Sequence, residues 1–360
     1  MTKTEYDVNQ MPKKNPLSLQ IDLSKFEKAT EEEKKQADVM SESSSFLRDG
    51  LRRLRKNPLA MFSIIVLILI LAMIIITPVA VPYNYSDIIT VDGKRDKSAT
   101  NMAPFTYSRL EQQYIAQGGK VVPHIMGTDE LGRDYFVRVV YGTRISLLVG
   151  VFASLIVLFI GVIYGSVAGY FGGRVDLIMM RIVDIIYSLP DLLMIILLSV
   201  VLNEVLKFSG NGILARLGTN MISLFIVFGL LYWVGMARLV RGQILTIKQN
   251  EYVLAAQVSG AKSRRIIRKH ILPNCISVII ISAALQIPSA IFTESFLSFI
   301  SLGVKAPMPS LGSLANAARS GITTYTYKLI FPAVMIGLIT LAFNLLGDGL
   351  RDAFDPKLRR

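Results

Sequence analysis

A polar, strongly basic segment separates two long apolar runs in the second half of the chain. It covers Glu251–Asn274 and reads EYVLAAQVSGAKSRRIIRKHILPN. The run before it, Leu217–Ala237, and the run that overlaps its end, Ile271–Thr293, carry no charged residue. Because a water-soluble interlude of this kind is unusual in so apolar a stretch, we interpret it as a docking surface for a cytoplasmic partner.

Further apolar runs indicate a membrane protein. Hydrophobic residues make up 52% of the chain, and uncharged runs also cover Leu59–Val81, Ile145–Gly173 and Leu329–Gly347. At about 1.5 Å per helical residue the first of these is about 34 Å long, enough to cross a hydrocarbon layer of roughly 30 Å. A sixth segment, Ile182–Leu206, contains charges but has an uncharged centre. We therefore predict an all-α membrane protein with six transmembrane helices.

The segments outside these runs predict the organisation of the chain. In order, we expect a disordered cytoplasmic tail at 1–45, an amphipathic helix on the inner membrane surface at 46–58, a first transmembrane helix at 59–82, an extracytoplasmic loop at 83–143, and a membrane core at 144–360 that contains a cytoplasmic hairpin at 242–273. Within the loop, Ile88–Val91 followed by Asp92 and Gly93 is typical of a β-hairpin.

Basic residues concentrate on one side of the predicted spans. They lie in 48–56, in the loop after the second span, in the hairpin and in the C-terminal tail, whereas the two short loops on the other side hold few. The positive-inside rule then places both termini in the cytoplasm. This asymmetry, together with contact between the basic flanks and anionic lipid headgroups, accounts for the net charge of +13 without nucleic acid.

Several classes of enzyme site are missing from the sequence. It contains no GxxxxGK[ST] phosphate loop, no HExxH and no CxxC, and its two histidines, His124 and His270, are far apart. We therefore expect no ATP hydrolysis, no metal site and no cofactor in this chain. If it moves a solute uphill, the energy comes from a partner subunit or an ion gradient.

The hairpin has a clear physical interpretation. Ala255 and Ala256 allow close packing on a short helix, and Gly260 permits the bend at its end. A second helix is expected at 262–270, and Pro273 suits the first turn of the next span. An ordinary positive-inside loop with a surface helix would explain the same residues.

The hairpin also resembles a known motif. The two alanines, Gly260 and the later His270–Pro273 are similar to the EAA loop in permease subunits of ATP-binding-cassette importers. In that family the loop forms coupling helices that enter a groove on the ATPase subunit. Leu254 stands where many members have Glu. By this resemblance the ATPase-coupling candidates are Glu251, Leu254, Ala255, Ala256, Gly260, Arg264, Arg265 and Pro273.

Three more stretches resemble the C-type subunit of oligopeptide and dipeptide permeases. They are Gly127–Leu147, Glu294–Gly312 and Asn344–Pro356, and the resemblance covers 46–360. It implies the MetI-like fold of type I importers and a place in the plasma membrane of a bacterium. It also implies a homologous B-type permease subunit, two ATPase subunits that bind ATP and Mg, an extracytoplasmic peptide-binding protein, and a peptide substrate.

Other functions fit the sequence less closely. Members of the same family could import nickel chelates, opines or another small solute. An ion-coupled secondary transporter would work without ATPase partners and would typically show internally repeated halves. A non-transporting membrane scaffold would not need the hairpin.

The candidates for the substrate path or its gate are Glu294, Ser298 and Asn344. Glu294 follows a long uncharged run, and a carboxylate inside a membrane is expensive unless it faces water or a bundle interior. A pathway role and a structural hydrogen bond to a neighbouring helix both remain open for it. Asp184 is expected to pair with Arg181 through their i,i+3 spacing.

Overall fold

The computed structural model describes residues 46–206, 219–304 and 308–354, which are mainly helical. The predicted N-terminal tail at 1–45 lies outside the described residues, as do 355–360 at the other end. Residues from Gly50 onward belong to one compact unit.

The described residues form thirteen α-helices and one small hairpin. They are α1 (Phe46–Lys56), α2 (Pro58–Ala80), β1 (Thr90–Val91), β2 (Lys94–Arg95), α3 (Arg109–Ala116), α4 (Tyr135–Phe171), α5 (Gly173–Tyr187), α6 (Asp191–Val205), α7 (Thr219–Leu231), α8 (Trp233–Ile247), α9 (Glu251–Val258), α10 (Ser263–Ile266), α11 (Leu272–Phe299), α12 (Leu311–Ala317) and α13 (Tyr327–Phe354).

Five helical segments in the described residues are long and apolar enough to cross a membrane. They are α2, α4, the continuous pair α7 and α8, the continuous pair α10 and α11, and α13. The pair α5 and α6 passes the same test only when it is taken together, which brings the total to six. The all-α membrane architecture predicted from the sequence is therefore confirmed.

The predicted third span is not one helix. The segment expected at Ile182–Leu206 begins within α5, and the axes of α5 and α6 differ by 85° across the break between them. Pro190 starts α6 with a φ of −61° and a ψ of 112°. Proline has no N–H to donate and disfavours helical geometry in Leu189 before it, so the helix ends at Tyr187 and the chain turns.

Helix α4 lies at the centre of the core and contacts α8 through a row of glycines. A Cβ on Gly165 would lie 2.4 Å from the carbonyl oxygen of Ala237, and one on Gly161 would lie 2.6 Å from the side chain of Met236. Such small residues let two helix backbones approach closely inside a membrane. The same helix meets α11 at Gly150, where a Cβ would lie 2.5 Å from Ile291.

The segment between α2 and α4 carries the small hairpin. Strands β1 and β2 pair in antiparallel fashion, and Asp92 and Gly93 turn with φ of 50° and 74°. Two left-handed residues are what a type I′ turn needs, so the predicted hairpin is confirmed. Helix α4 starts at Tyr135 with Asp134 as its N-cap, so the expected boundary between loop and core at 143/144 falls inside α4.

Candidate functional site

Helix α9 of the hairpin ends in a complete Schellman motif. The N–H of Gly260 donates to the carbonyl of Gln257 at 2.9 Å, and the N–H of Ala261 donates to that of Ala256 at 3.1 Å. Gly260 has a φ of +75°, the left-handed conformation that this motif requires. The predicted bend at Gly260 is therefore a defined corner.

The hairpin is supported from beneath by a buried apolar cluster. Val253 of α9 and Ile266 of α10 pack with Ile271 and with Ile244 of α8, and all four are at most 1% exposed. Ala256 is half-buried against the same cluster. The orientation of α9 is thus fixed by side-chain packing on the membrane core.

The opposite face of α9 is exposed and largely apolar. Glu251, Leu254, Ala255 and Val258 follow one another at helical spacing, and all are exposed. Val258 is 90% exposed and Leu254 47% exposed. Tyr252 beside them is also exposed. A supported helix that presents apolar side chains can dock into a hydrophobic groove on a partner.

The second arm of the hairpin differs from the regular helix expected at 262–270. Helix α10 is short and continues as a π-helical turn, Ile267–Ile271, directly into α11. Pro273 follows, and its ring crowds the carbonyl of Lys269 while offering no N–H to it, which favours the wider turn. Arg264 and Arg265 of this arm are exposed, as predicted for a cationic surface, and Pro273 is exposed too.

Glu294 lies fully buried in a shell of serines. Its carboxylate accepts hydrogen bonds from Ser146 on α4 at 2.8 Å and from Ser298 at 2.7 Å, with Ser295 at 3.4 Å. It therefore has the donors that an intramembrane carboxylate requires. Ser298, the second path candidate, belongs to this shell, whereas Asn344 is exposed on α13.

Two of the serine hydroxyls that bind Glu294 also accept hydrogen bonds from backbone N–H groups. The Ser298 hydroxyl accepts the N–H of Val304 at 3.0 Å, and the Ser146 hydroxyl accepts the N–H of Leu311 at 3.3 Å. Glu294 thus holds α4, α11 and the start of α12 together. Ser146 could not be identified from the sequence, because it lies 148 residues from Glu294.

Two ion pairs join α5 to α8 near the hairpin. Asp184 pairs with Arg238 at 2.7 Å, so the expected pairing with Arg181 is wrong. Asp184 faces α8 because Val183 beside it packs on Trp233, Val234 and Ala237 of that helix. Arg241 donates two hydrogen bonds to Asp176, each of 2.5 Å. The sequence showed these charges but not the contact between helices 65 residues apart.

A further buried network lies in the segment before α4. His124 is fully buried, with Nδ1 2.7 Å from Asp134 and Nε2 2.9 Å from Glu111. Burial alone would lower the pKa of His124, but the hydrogen bonds to these two carboxylates outweigh it and raise the pKa to about 9. Ser108 links Glu111 to Asp96. The Ser108-x-x-Glu111 capping box was visible in the sequence, but its contact with His124 was not.

Two family descriptions match this chain. Residues 158–360 match the binding-protein-dependent transport system inner membrane component. Residues 45–113 match the N-terminal TM domain of oligopeptide transport permease C. The two matches fall on successive parts of the chain and include both the hairpin and Glu294.

Similar proteins cover nearly the whole chain. A dipeptide transport system permease protein of Bacillus subtilis is 46% identical over 92% of this chain and 92% of its own length. An oligopeptide transport system permease protein of the same organism is 41% identical over 89% of this chain and 93% of its own length. A glutathione transport system permease protein of Pectobacterium atrosepticum is 39% identical over 71% of this chain and 78% of its own length. With this coverage and the helical membrane architecture, the chain belongs to the family of inner membrane components of binding-protein-dependent transport systems.

Proposed function

We propose that this chain is the membrane-spanning permease subunit of an ATP-driven peptide importer. The two Bacillus subtilis relatives, described as dipeptide and oligopeptide permeases, support peptides as the substrate. The chain forms the translocation path with a homologous B-type permease subunit in a bacterial plasma membrane, with both termini in the cytoplasm. Two ATPase subunits bind ATP and Mg, and an extracytoplasmic binding protein delivers the peptide.

The observation that carries this proposal is the exposed apolar face of α9. Leu254 and Val258 are exposed because the other side of α9 packs on the core. Exposing such side chains costs free energy unless a partner covers them. An ATPase groove that accepts this face would bury them, and Arg264 and Arg265 would add charged contacts at its rim.

The coupling follows from the rigidity of the hairpin. Closure of the ATPases around ATP displaces α9, and α9 cannot yield separately because Val253 and Ile266 are locked into the cluster below it. The displacement therefore reaches the membrane helices and switches the path from inward-facing to outward-facing. The chain thus opens and closes the translocation path and transmits the displacement of α9, and the partner subunits hydrolyse ATP.

Transport by the reconstituted complex tests this function. The chain is purified with its permease partner and ATPases, placed in liposomes, and supplied with the binding protein and a labelled peptide. We expect uptake that requires both ATP and the binding protein. Leu254→Ser and Val258→Ser should reduce uptake per assembled complex, whereas Phe105→Ser, an equally apolar and exposed position in the external segment, should not. Uptake by this chain alone, driven by an ion gradient, would identify a secondary transporter instead.

A further inference from the structure

We propose that α5 moves as one body with the coupling hairpin, and that Arg241 and Arg238 of α8 are the positioning residues that hold it there. This inference rests on the proposed function, since it concerns how a displacement of α9 reaches the rest of the chain.

The hairpin and α8 form one packed body. Met236, Val240 and Ile244 of α8 line the cluster that receives Val253 and Ile266 of the hairpin. Close-packed apolar side chains of this kind transmit displacement because they cannot be compressed. A movement of α9 is therefore a movement of α8.

Helix α4 belongs to the same body. The glycine row brings the two backbones together, with the carbonyl of Arg241 3.0 Å from the position of a Cβ on Gly169. Lys248, just beyond α8, donates to the carbonyl of Gly169 at 3.0 Å. This contact also places a cation at the C-terminal end of α4, where the helix dipole favours it.

The arginines attach α5 to this body. Arg241 binds Asp176 in a bidentate pair, with Nε and Nη2 on one edge of the guanidinium each donating to one carboxylate oxygen, the geometry that gives such pairs their strength and direction. Two turns further along α5, Asp184 accepts a hydrogen bond from Arg238. The guanidinium of Arg238 also lies over the ring of Tyr187, 4.2 Å from its centre.

An apolar contact lies between the two arginine pairs. Val183 is fully buried against Trp233, Val234 and Ala237 of α8. One face of α5 is thereby fixed to α8 along the length of the helix.

The remaining surface of α5 makes few contacts that would oppose its movement with α8. Its other face is apolar and exposed, with Leu177, Ile178 and Ile185 each at least 60% exposed. Beyond the 85° break, α6 leaves this contact and packs on α7, with Ile195 and Leu224 in a cluster that also includes Val149 and Ala153 of α4. The attachment of α5 to the hairpin therefore runs through α8 and the two arginine pairs.

Distance measurements test the rigid-body claim. In a Cys275→Ala background, nitroxide labels are placed on Ile178→Cys of α5 and Lys262→Cys of the hairpin in the assembled complex, both at exposed positions outside the proposed docking face. We expect the label distance to be the same without nucleotide and with ATP plus vanadate.

Neutral substitutions test the arginine pair. Arg241→Gln or Asp176→Asn should lower the ratio of substrate-stimulated to basal ATP hydrolysis by roughly three- to tenfold, the scale of losing a charge-assisted bidentate contact. The exchange Asp176→Arg with Arg241→Asp should restore much of the ratio. Arg181→Gln is the matched control, because Arg181 is exposed on α5 and forms no ion pair within the described ranges.

The outcomes separate this inference from the proposed function. An Ile178–Lys262 distance that changes with ATP, or single variants that behave like Arg181→Gln, would overturn the inference. If a crosslinker on Val258 still reaches the ATPase in that case, the proposed function stands. If the single variants do not assemble, the distance measurement on the unaltered ion pairs still decides the question.

Discussion

Gly260 is the residue on which the geometry of the hairpin depends. A Cβ there would have no atom within 4 Å, so the obstacle to substitution is the φ of +75° and not crowding. A β-branched residue in this conformation costs about 1–2 kcal/mol. We expect Gly260→Val to insert and assemble but to lose substrate-stimulated ATP hydrolysis. Gly260→Asn, which tolerates the left-handed region, should retain most of it. Normal coupling in well-assembled Gly260→Val complexes would argue against the docking role of this corner.

Glu294 has the surroundings of a structural anchor. Its carboxylate is enclosed by serines that also bind the backbone of two other segments. We predict that Glu294→Leu lowers the yield of assembled complex, because each hydroxyl that loses its acceptor costs about 1–3 kcal/mol. Glu294→Gln keeps the shape and an acceptor, so uptake per assembled complex should stay close to that of the unaltered chain. A changed uptake rate or substrate preference in Glu294→Gln at normal yield would instead show a pathway role.

The segment before α4 is held by a charged network. His124 lies between Glu111 and Asp134, and the ring of Tyr83 lies 5.1 Å from it. Asp134 also caps α4, and Asp96 reaches Glu111 through Ser108. The network therefore connects α3 and the segment after the β-hairpin to the start of α4.

This network predicts a pH dependence. The folded-state pKa of His124 is about 9 against an ordinary value of 6.5, so its contribution of roughly 3 kcal/mol is complete below pH 6.5 and is lost as the pH rises through 9. Burial opposes ionisation of Glu111, but the hydrogen bond from His124 lowers its pKa below 4.5, so this contribution is lost as the pH falls through that lower value. Protease resistance of the segment should therefore be highest between about pH 4.5 and 6.5.

A substitution provides the control for this pH dependence. His124→Gln keeps hydrogen-bonding capacity but cannot carry a charge, so protease resistance should be lower and should no longer decline between pH 6.5 and 9. An unchanged decline in His124→Gln would assign the pH dependence to other groups.

The sequence predicted elements better than contacts between them. Long uncharged runs identified the membrane helices, and Asp92-Gly93 identified the β-hairpin, because these signals are local. The break before α6 was missed, although Pro190 marks it, because the apolar content on both sides suggested one span. The partners of Asp184 and Glu294 depend on how distant helices meet, and no local pattern encodes that. Exposure of Val258 likewise became visible only once the packed side of α9 was known.

The distribution of basic residues predicts the orientation of the chain in the membrane. With Cys275 replaced, single cysteines between positions 90 and 120 should react with an impermeant reagent added from outside. A cysteine at position 262 should react only after the membrane is opened, and so should cysteines at 30 and 358, which lie outside the described residues. External labelling at 262 would place the hairpin on the wrong side for an ATPase.

We expect the exposed face of α9 to meet the ATPase, and photo-crosslinking from Val258 shows whether it does. A benzophenone is attached to Val258→Cys in a Cys275→Ala chain within the assembled complex, and crosslinked proteins are identified by mass spectrometry. Phe105→Cys, exposed in the segment between α2 and α4, is the matched control. We expect a crosslink from position 258 to the ATPase subunit, with a yield that changes when ATP and peptide are present, and none from position 105. No ATPase adduct at position 258 in active complexes would contradict it.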